Sequence, residues 1–332
     1  HAKGKTIMVN LQKFDKPEKF VETKERIFVL VDEAHRSQYK WTAGYMRKAM
    51  PNAVFFAFTG TPLDNKDKKK KNTYREFGPL IDKYSFVESK EDGATVKVEH
   101  TGLLPELEIE GGNSLNDVFK NLFGHLPKAQ QAEIRRKYAT KKKIASSPAR
   151  IREICKTIVK HYTGKILPNG YKAMIVAPTR AAAVTYKREL EDLTKLPSRI
   201  IMDSKKDEVG PDGFSWADYY LSQDEALTKA EEFTSPDDPT KFLIVVDMLL
   251  VGYDAPIVQV MYLDKPLKEH SLLQAIARVN RIYDANKDRG LIIDFWGITR
   301  DLQQALKMFD EQDVQGALDN VDDDLLELDA RH

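Results

Sequence analysis

Hydrophobic residues fall along this chain in short unbroken runs rather than in alternation with polar ones. Residues 6–9, 27–31, 54–58, 174–177, 242–246, 258–263 and 291–295 are runs of this kind, rich in Val, Ile, Leu and Phe. An unalternated run is what a strand buried on both faces requires, so a parallel sheet with helices on both sides is expected. Residues 35–50, 149–162, 181–193 and 271–281 lie between the runs and carry helical patterning. Strand followed by helix, repeated, defines an α/β fold.

The runs form two groups, and a length of 332 residues suits two domains with a core each. Between the groups, residues 64–147 are rich in charge and turn formers. A boundary is expected near residue 145, where Lys141, Lys142 and Lys143 and then Ser146-Ser147-Pro148 precede a new helix. That gives a first domain over 1–145, a second over 146–300, and a helical extension or linker over 301–332 that turns acidic at Asp322-Asp323-Asp324. Residues 203–240, full of Asp, Ser, Gly and Pro, read as a surface insertion. The lysine-rich stretch 66–71 reads as a solvated loop, because like charges repel and keep such blocks mobile.

Charge narrows the function classes. The chain has 52 Lys and Arg against 51 Asp and Glu, which excludes a polybasic nucleic-acid binder, so any polyanion must be gripped in a local groove. The single cysteine, Cys155, can form neither an intrachain disulfide nor a cysteine zinc site and reads as a core residue of its helix. No apolar run approaches the roughly 18 to 20 residues that cross a bilayer, and no signal peptide opens the chain. A soluble, cytoplasmic protein without a membrane partner is expected.

Chemistry concentrates at the ends of the runs. Residues 27–31 lead into Asp32-Glu33-Ala34-His35, two carboxylates and a histidine at the carboxyl end of a buried strand, where open α/β sheets place their ligands. Acidic residues at a helix start are also favoured by the helix dipole alone, so the pair gains weight only from its neighbours. Residues 54–58 end in Thr59-Gly60-Thr61-Pro62, a hydroxyl-rich loop able to bond a carboxylate or histidine nearby. In the second group, Gly252-Tyr253-Asp254 follows a strand, and a helix carries Gln274, Arg278 and Arg281, whose spacing predicts one shared face. Carboxylates that hold a metal and activate water, with two guanidinium groups facing developing phosphate charge, are the parts a phosphoryl-transfer site needs.

In order and spacing, Asp32 to His35, Thr59 to Pro62, Gly252 to Asp254 and Gln274 to Arg281 resemble motifs II, III, V and VI of superfamily 2 helicases and translocases. More narrowly, residues 32–38 (DEAHRSQ), 77–84 (FGPLIDKY), 91–96 (EDGATV), 253–265 and 272–283 (LLQAIARVNRIY) resemble the motor region of the restriction (R) subunit of type I restriction-modification enzymes. The resemblance covers most of residues 7–300. It implies two RecA-like parallel-sheet lobes, the first truncated on its N-terminal side, with a C-terminal helical extension.

It implies an ATP-dependent double-stranded DNA translocase, with ATP and Mg as cofactors and with the modification (methyltransferase) and specificity subunits as partners. Asp32 would hold Mg and Glu33 would activate water. His35, Thr59, Gly60 and Thr61 would couple hydrolysis to DNA movement. Gly252, Asp254, Gln274, Arg278 and Arg281 would line the nucleotide, and Gln12, Lys13, Thr179 and Arg180 would face DNA. Ala277 replaces a glycine common in motif VI, and Val246 stands where many members carry a motif V threonine.

A phosphate-cradling Gly-x-x-x-x-Gly-Lys-Ser/Thr loop would complete such a site. Gly4-Lys5-Thr6 is the one partial match, and it lacks the strand that should precede it. The phosphate loop and a nuclease domain are therefore expected upstream of His1, and these 332 residues alone are expected not to hydrolyse ATP. Two alternatives stay open: the motor of a type III restriction subunit or repair helicase, and a non-catalytic DNA-binding or subunit-docking module.

Overall fold

A computed structural model describes residues 6–9, 27–34, 39–60, 62, 72–103, 127–128, 145–205, 208, 216–250, 252–267, 269–296 and 318–320. The chain divides into two compact units, His1–Lys83 and Tyr84–His332.

In the first unit, β1 (Phe28–Val31) and β2 (Val54–Ala57) pair in parallel, Phe28 opposite Val54 and Val31 opposite Ala57. Helix α1 (Tyr39–Ala49) joins them and α2 (Thr73–Phe77) follows. Val31, Ala34 and Met46 form the centre of a small core, with Val29, Phe55 and Phe77 packed around it. Arg47 lies 4.4 Å from the Phe55 ring centroid and donates to the Glu76 carbonyl at 2.6 Å, tying α1 to α2. Phe28 and Leu30 remain about two-thirds exposed, so β1 is buried on one face rather than two. Residues 6–9 were expected as a strand. They adopt no regular structure, and Ile7 and Met8 are exposed.

The second unit holds a seven-stranded parallel sheet in the order β5-β6-β4-β7-β8-β3-β9. Its strands are β3 (Lys97–Gly102), β4 (Lys172–Val176), β5 (Ser198–Ile201), β6 (Phe242–Val245), β7 (Val258–Leu263), β8 (Arg289–Asp294) and β9 (Leu318–Asn320). Its helices are α3 (Phe86–Glu91), α4 (Pro148–His161), α5 (Arg180–Leu193), α6 (Gln223–Thr234) and α7 (Glu269–Val279). Every residue of β4, β6 and β7 is buried, as unalternated runs require.

Period-two geometry divides the central strands between two cores. Ala173, Ile175, Ile244 and Tyr262 pack with Ile154, Ile158 and Tyr186 of α4 and α5. Met174, Val176, Val245 and Met261 pack with Phe233, Leu272 and Ile276 of α6 and α7. The α/β class is thus realised as a doubly covered sheet.

Three boundaries differ from expectation. The units part at Lys83, not near 145, because β3 pairs along its length with β8. The sequence of β3, KVEHTG, carries no apolar run; Glu99 is buried there because Arg289 and Lys97 neutralise it. Residues 203–240 are not merely a surface insertion, since Ala226, Ala230 and Phe233 of α6 enter the core. Within 301–332, expected as helical, the described residues are strand β9, paired with β3. A short strand of Leu-Asp-Asn has no apolar period to announce it.

Candidate nucleotide site

Asp32 and Glu33 leave the carboxyl end of β1. The Asp32 carboxylate accepts the Glu33 N–H at 2.9 Å, and Ala34 donates to the Phe58 carbonyl at 3.2 Å, so the turn after β1 is bonded to the end of β2. This brings the turn after β1 beside the Phe58-Thr59-Gly60 step. Glu33 has φ 49°, left-handed backbone that L residues other than Asn and Asp rarely adopt. Strain of this kind, on the order of 1–2 kcal/mol, tends to persist where a side chain must be aimed. Asp32 is exposed and Glu33 half-buried. His35, Thr61, Gln12 and Lys13 lie outside the described residues.

The second set of site residues is built around the loop between β6 and β7. Gly252 has φ 75°, a conformation that favours glycine. Tyr253 beyond it drops its ring into the core and donates its hydroxyl to the Ala230 carbonyl at 2.8 Å, fixing the loop against α6. From α7, Arg278 donates Nη1 to the Tyr253 carbonyl and Nε to the Gln274 carbonyl, the latter at 3.1 Å. Arg281 places Nε 3.4 Å from an Asp254 carboxylate oxygen. Gly252, Tyr253, Asp254, Gln274, Arg278 and Arg281 are therefore one constellation.

The Gln274 Nε2 is buried and has no hydrogen-bond partner among the described residues. A donor in that state is able to receive an incoming oxygen acceptor, since leaving it unpaired is costly. Arg281 itself departs from the expected helix face. Helix α7 ends at Val279, and Arg281 is held in an antiparallel bridge with Thr95 instead.

The expected DNA-facing pair has intramolecular partners. Thr179 is the N-cap of α5, its hydroxyl accepting from Ala182 N at 3.1 Å and bonding Ser146 at 2.9 Å. Arg180 forms a two-pronged pair with Glu208 at 2.7 and 2.6 Å, donates to the Asp203 carbonyl and stacks 4.2 Å over Trp216. The Arg180 guanidinium beside it holds the Glu208 carboxyl below the usual carboxylate range.

A buried ion pair was not read from the sequence. Arg150 of α4 grips Asp264, which follows β7, at 2.8 and 2.6 Å; it also donates to the carbonyls of Phe295 at 2.9 Å and Ala145 at 3.2 Å. Tyr186 donates to the same carboxylate at 2.8 Å. Burial opposes the charge on both partners; the two-pronged bond keeps Arg150 firmly protonated, while burial leaves the Asp264 carboxyl above its ordinary value. Asp264 carries the same strand-end signal as Asp32. Its burial shows that it fastens the sheet instead of facing solvent.

Among the described residues no three His, Cys, Asp or Glu side chains cluster as a metal cage. Mg characteristically needs no such cage, because one or two carboxylates, waters and substrate phosphates suffice. Exposed Asp32 fits that pattern. No helix of the described residues is long and apolar enough to cross a membrane. Cys155 is buried and its thiol is pushed well up by burial, as a core residue should be.

The seven-stranded parallel sheet covered by helices on both faces, with the Gly252 to Arg281 constellation at its strand ends, defines the class: a RecA-like α/β fold. Residues 1–132 match the SWI2/SNF2 ATPase family, and residues 212–297 match domain 3 of the type I restriction enzyme R subunit. Over 93% of its length the chain is 33% identical to a Methanocaldococcus jannaschii protein named for the MjaIXP type I restriction enzyme endonuclease subunit. Over 95% it is 32% identical to the HindI type I restriction enzyme endonuclease subunit of Haemophilus influenzae. The chain belongs with these R subunits, and it spans 30% and 31% of the two relatives' lengths. A fragment of an HsdR subunit from Vibrio vulnificus superposes with a TM-score of 0.56 at 18% identity, covering 89% of this chain and 47% of that one; this likeness concerns the fold.

Proposed function

We propose that the chain forms part of the ATP-driven motor that moves double-stranded DNA in a type I restriction R subunit, acting beside modification (methyltransferase) and specificity subunits. The observation that carries the reading is the constellation at the β6–β7 loop. Arg278 and Arg281 sit on the Gly252 to Asp254 loop, half-buried or exposed, beside a Gln274 Nε2 that has no hydrogen-bond partner among the described residues. Guanidinium groups so placed stabilise the charge that develops on a transferring phosphoryl group.

The remaining roles follow from chemistry. Asp32, a strand-end carboxylate open to solvent, would hold Mg, whose charge offsets that of the ATP phosphates. Glu33, aimed by its left-handed backbone, orients and deprotonates the attacking water. Thr59 and Gly60, at the end of the neighbouring strand, answer to the state of the carboxylates and pass it toward DNA. ATP binds along Gly252, Asp254, Gln274 and the two arginines.

The decisive experiment is Glu33→Gln in the whole R subunit within its restriction complex. ATP hydrolysis is expected to fall by about 10²-fold or more, as removal of a general base does, while ATP binding persists. Unchanged turnover would overturn the assignment. Wild-type protein that binds DNA and its partner subunits with no hydrolysis at all would support a docking module in its place.

A further inference from the structure

Arg281 stands two residues beyond the end of α7, so the helix does not set its position. Its side-chain partner does not set it either. Arg281 and Asp254 are 44% and 63% exposed, and ion pairs in that setting are weak.

The backbone of Arg281 is held by another stretch of chain. Thr95 bridges Arg281 in antiparallel fashion, and Val96 N–H donates to the carbonyl of buried Asn280 at 2.8 Å. Thr95 is itself fixed by Ser89: their hydroxyls meet at 2.8 Å, and the Ser89 carbonyl accepts the N–H groups of Ala94 at 2.8 Å and Thr95 at 3.1 Å. Ser89 is buried on α3, whose start is set by a capping box between Ser85 and Glu88. Beyond Val96 the chain becomes β3, pinned to β8 by the Glu99–Arg289 pair. From the other side, Gly290 of β8 lies so close to Val279 that a β-carbon there would meet the Val279 carbonyl oxygen at 2.3 Å. The last turn of α7 and the residues after it are thus clamped between β8 and the Ser89 to Val96 turn.

We propose that Ser89, Thr95 and Val96 are positioning residues for Arg281: the turn after α3 sets where this guanidinium stands over the Gly252 to Asp254 loop. The proposal rests on the reading of Arg281 as a phosphate-facing group. It assigns a role in the motor's chemistry to a segment, ending in residues 91–96, whose resemblance to the R subunit implied no role for any one residue.

The test uses the whole R subunit with ATP and double-stranded DNA, comparing Arg281→Ala, Val96→Pro, Thr95→Val, Thr95→Ser and the double variant Thr95→Val/Arg281→Ala. Val96→Pro removes the N–H that Asn280 accepts, and Thr95→Val keeps the shape while removing the hydroxyl. Both are expected to lower kcat for ATP hydrolysis, by about ten-fold and about three-fold, with KM for ATP within two-fold of wild type. Thr95→Ser, which keeps the hydroxyl, is expected to retain wild-type kcat. In the Arg281→Ala background, Thr95→Val is expected to cost nothing more, because it acts through that arginine.

Should Arg281→Ala turn over ATP like wild type, the phosphate-facing reading falls and the proposal with it. If Arg281→Ala is slow while Val96→Pro and Thr95→Val behave as wild type, or if the Thr95→Val loss persists undiminished in the double variant, the positioning role alone is overturned. Thr95→Val decides the matter even where Val96→Pro fails to fold.

Discussion

Removing the guanidinium of Arg150 is expected to destabilise the second unit more than any surface charge deletion would. In Arg150→Met, Asp264, with 1% of its side chain exposed, would keep the Tyr186 hydroxyl and lose both hydrogen bonds of the two-pronged pair. The carbonyls of Ala145 and Phe295 would lose donors as well. Breaking a buried pair from one side costs about 3–5 kcal/mol, whereas replacing both partners by apolar groups is often close to neutral. Arg150→Met is therefore expected to lose about 4 kcal/mol, and Arg150→Met/Asp264→Leu to recover more than half of it. The deficit should also depend on pH. Without its guanidinium, the Asp264 carboxyl in the folded state rises further above its unfolded value, so the folded variant takes up a proton first and its deficit shrinks as pH falls toward the ordinary carboxylate range. Urea unfolding followed by tryptophan emission is a suitable assay, since Trp216 and Trp296 both belong to this unit. A single-variant loss below about 1 kcal/mol, or a double variant no better than the single, would refute the reasoning.

Gly290→Ala places a β-carbon against the backbone at Val279, a clash that flexible side chains cannot relieve. The expected cost is about 3 kcal/mol, read as a drop of about 6–12 °C in the unfolding midpoint; an unchanged midpoint counts against the close approach. Lys287, buried and donating to the carbonyls of Pro256 at 2.6 Å and Val258 at 2.8 Å, is lowered by burial to about 7. Its folded value lies below its unfolded one, so stability is expected to rise as pH increases from about 7 toward 10, and Lys287→Met is expected to flatten that rise in denaturant midpoints. His100 is lowered by burial to about 4, so folding must keep it neutral. Stability is expected to fall between pH 6.5 and 4 by up to about 3 kcal/mol from this group, and a His100→Gln variant with an equally steep acid transition would contradict the assignment.

What the sequence revealed was set by burial. The strands β4, β6 and β7 are buried on both faces, so their residues had to be continuously apolar and were legible. By contrast β3 hides Glu99 and His100 inside, and its neutralising partner Arg289 stands on a strand remote in sequence, so no local pattern could reveal it. The same reason moved the domain boundary. Helix α6 was obscured because its inward residues include two alanines, Ala226 and Ala230, which bury little and signal little. Asp32-Glu33 and the Gly252 to Arg281 motifs were visible as strings because they cluster at strand ends and in loops. The burial that separates Asp264 from Asp32, and the bridge that takes Arg281 off its helix, are tertiary facts.

The arginines show how one residue type divides between fold and chemistry. Arg150 is 7% exposed on its side chain, saturated by a carboxylate and two carbonyls, and flanked by a tyrosine that bonds the same carboxylate. It fastens the end of β7, the central strand of the sheet. Arg180 is farther out, yet a two-pronged carboxylate and an indole face occupy it. Among the described residues, the charged contact of Arg281 is a single, longer, exposed pair with Asp254, which an entering phosphate could outcompete at little cost because water already screens it. On the proposed reading Arg281 exchanges partners in each cycle, which asks for a weak resting partner and a backbone held elsewhere. Arg281 meets both conditions, the second through Thr95 and Asn280.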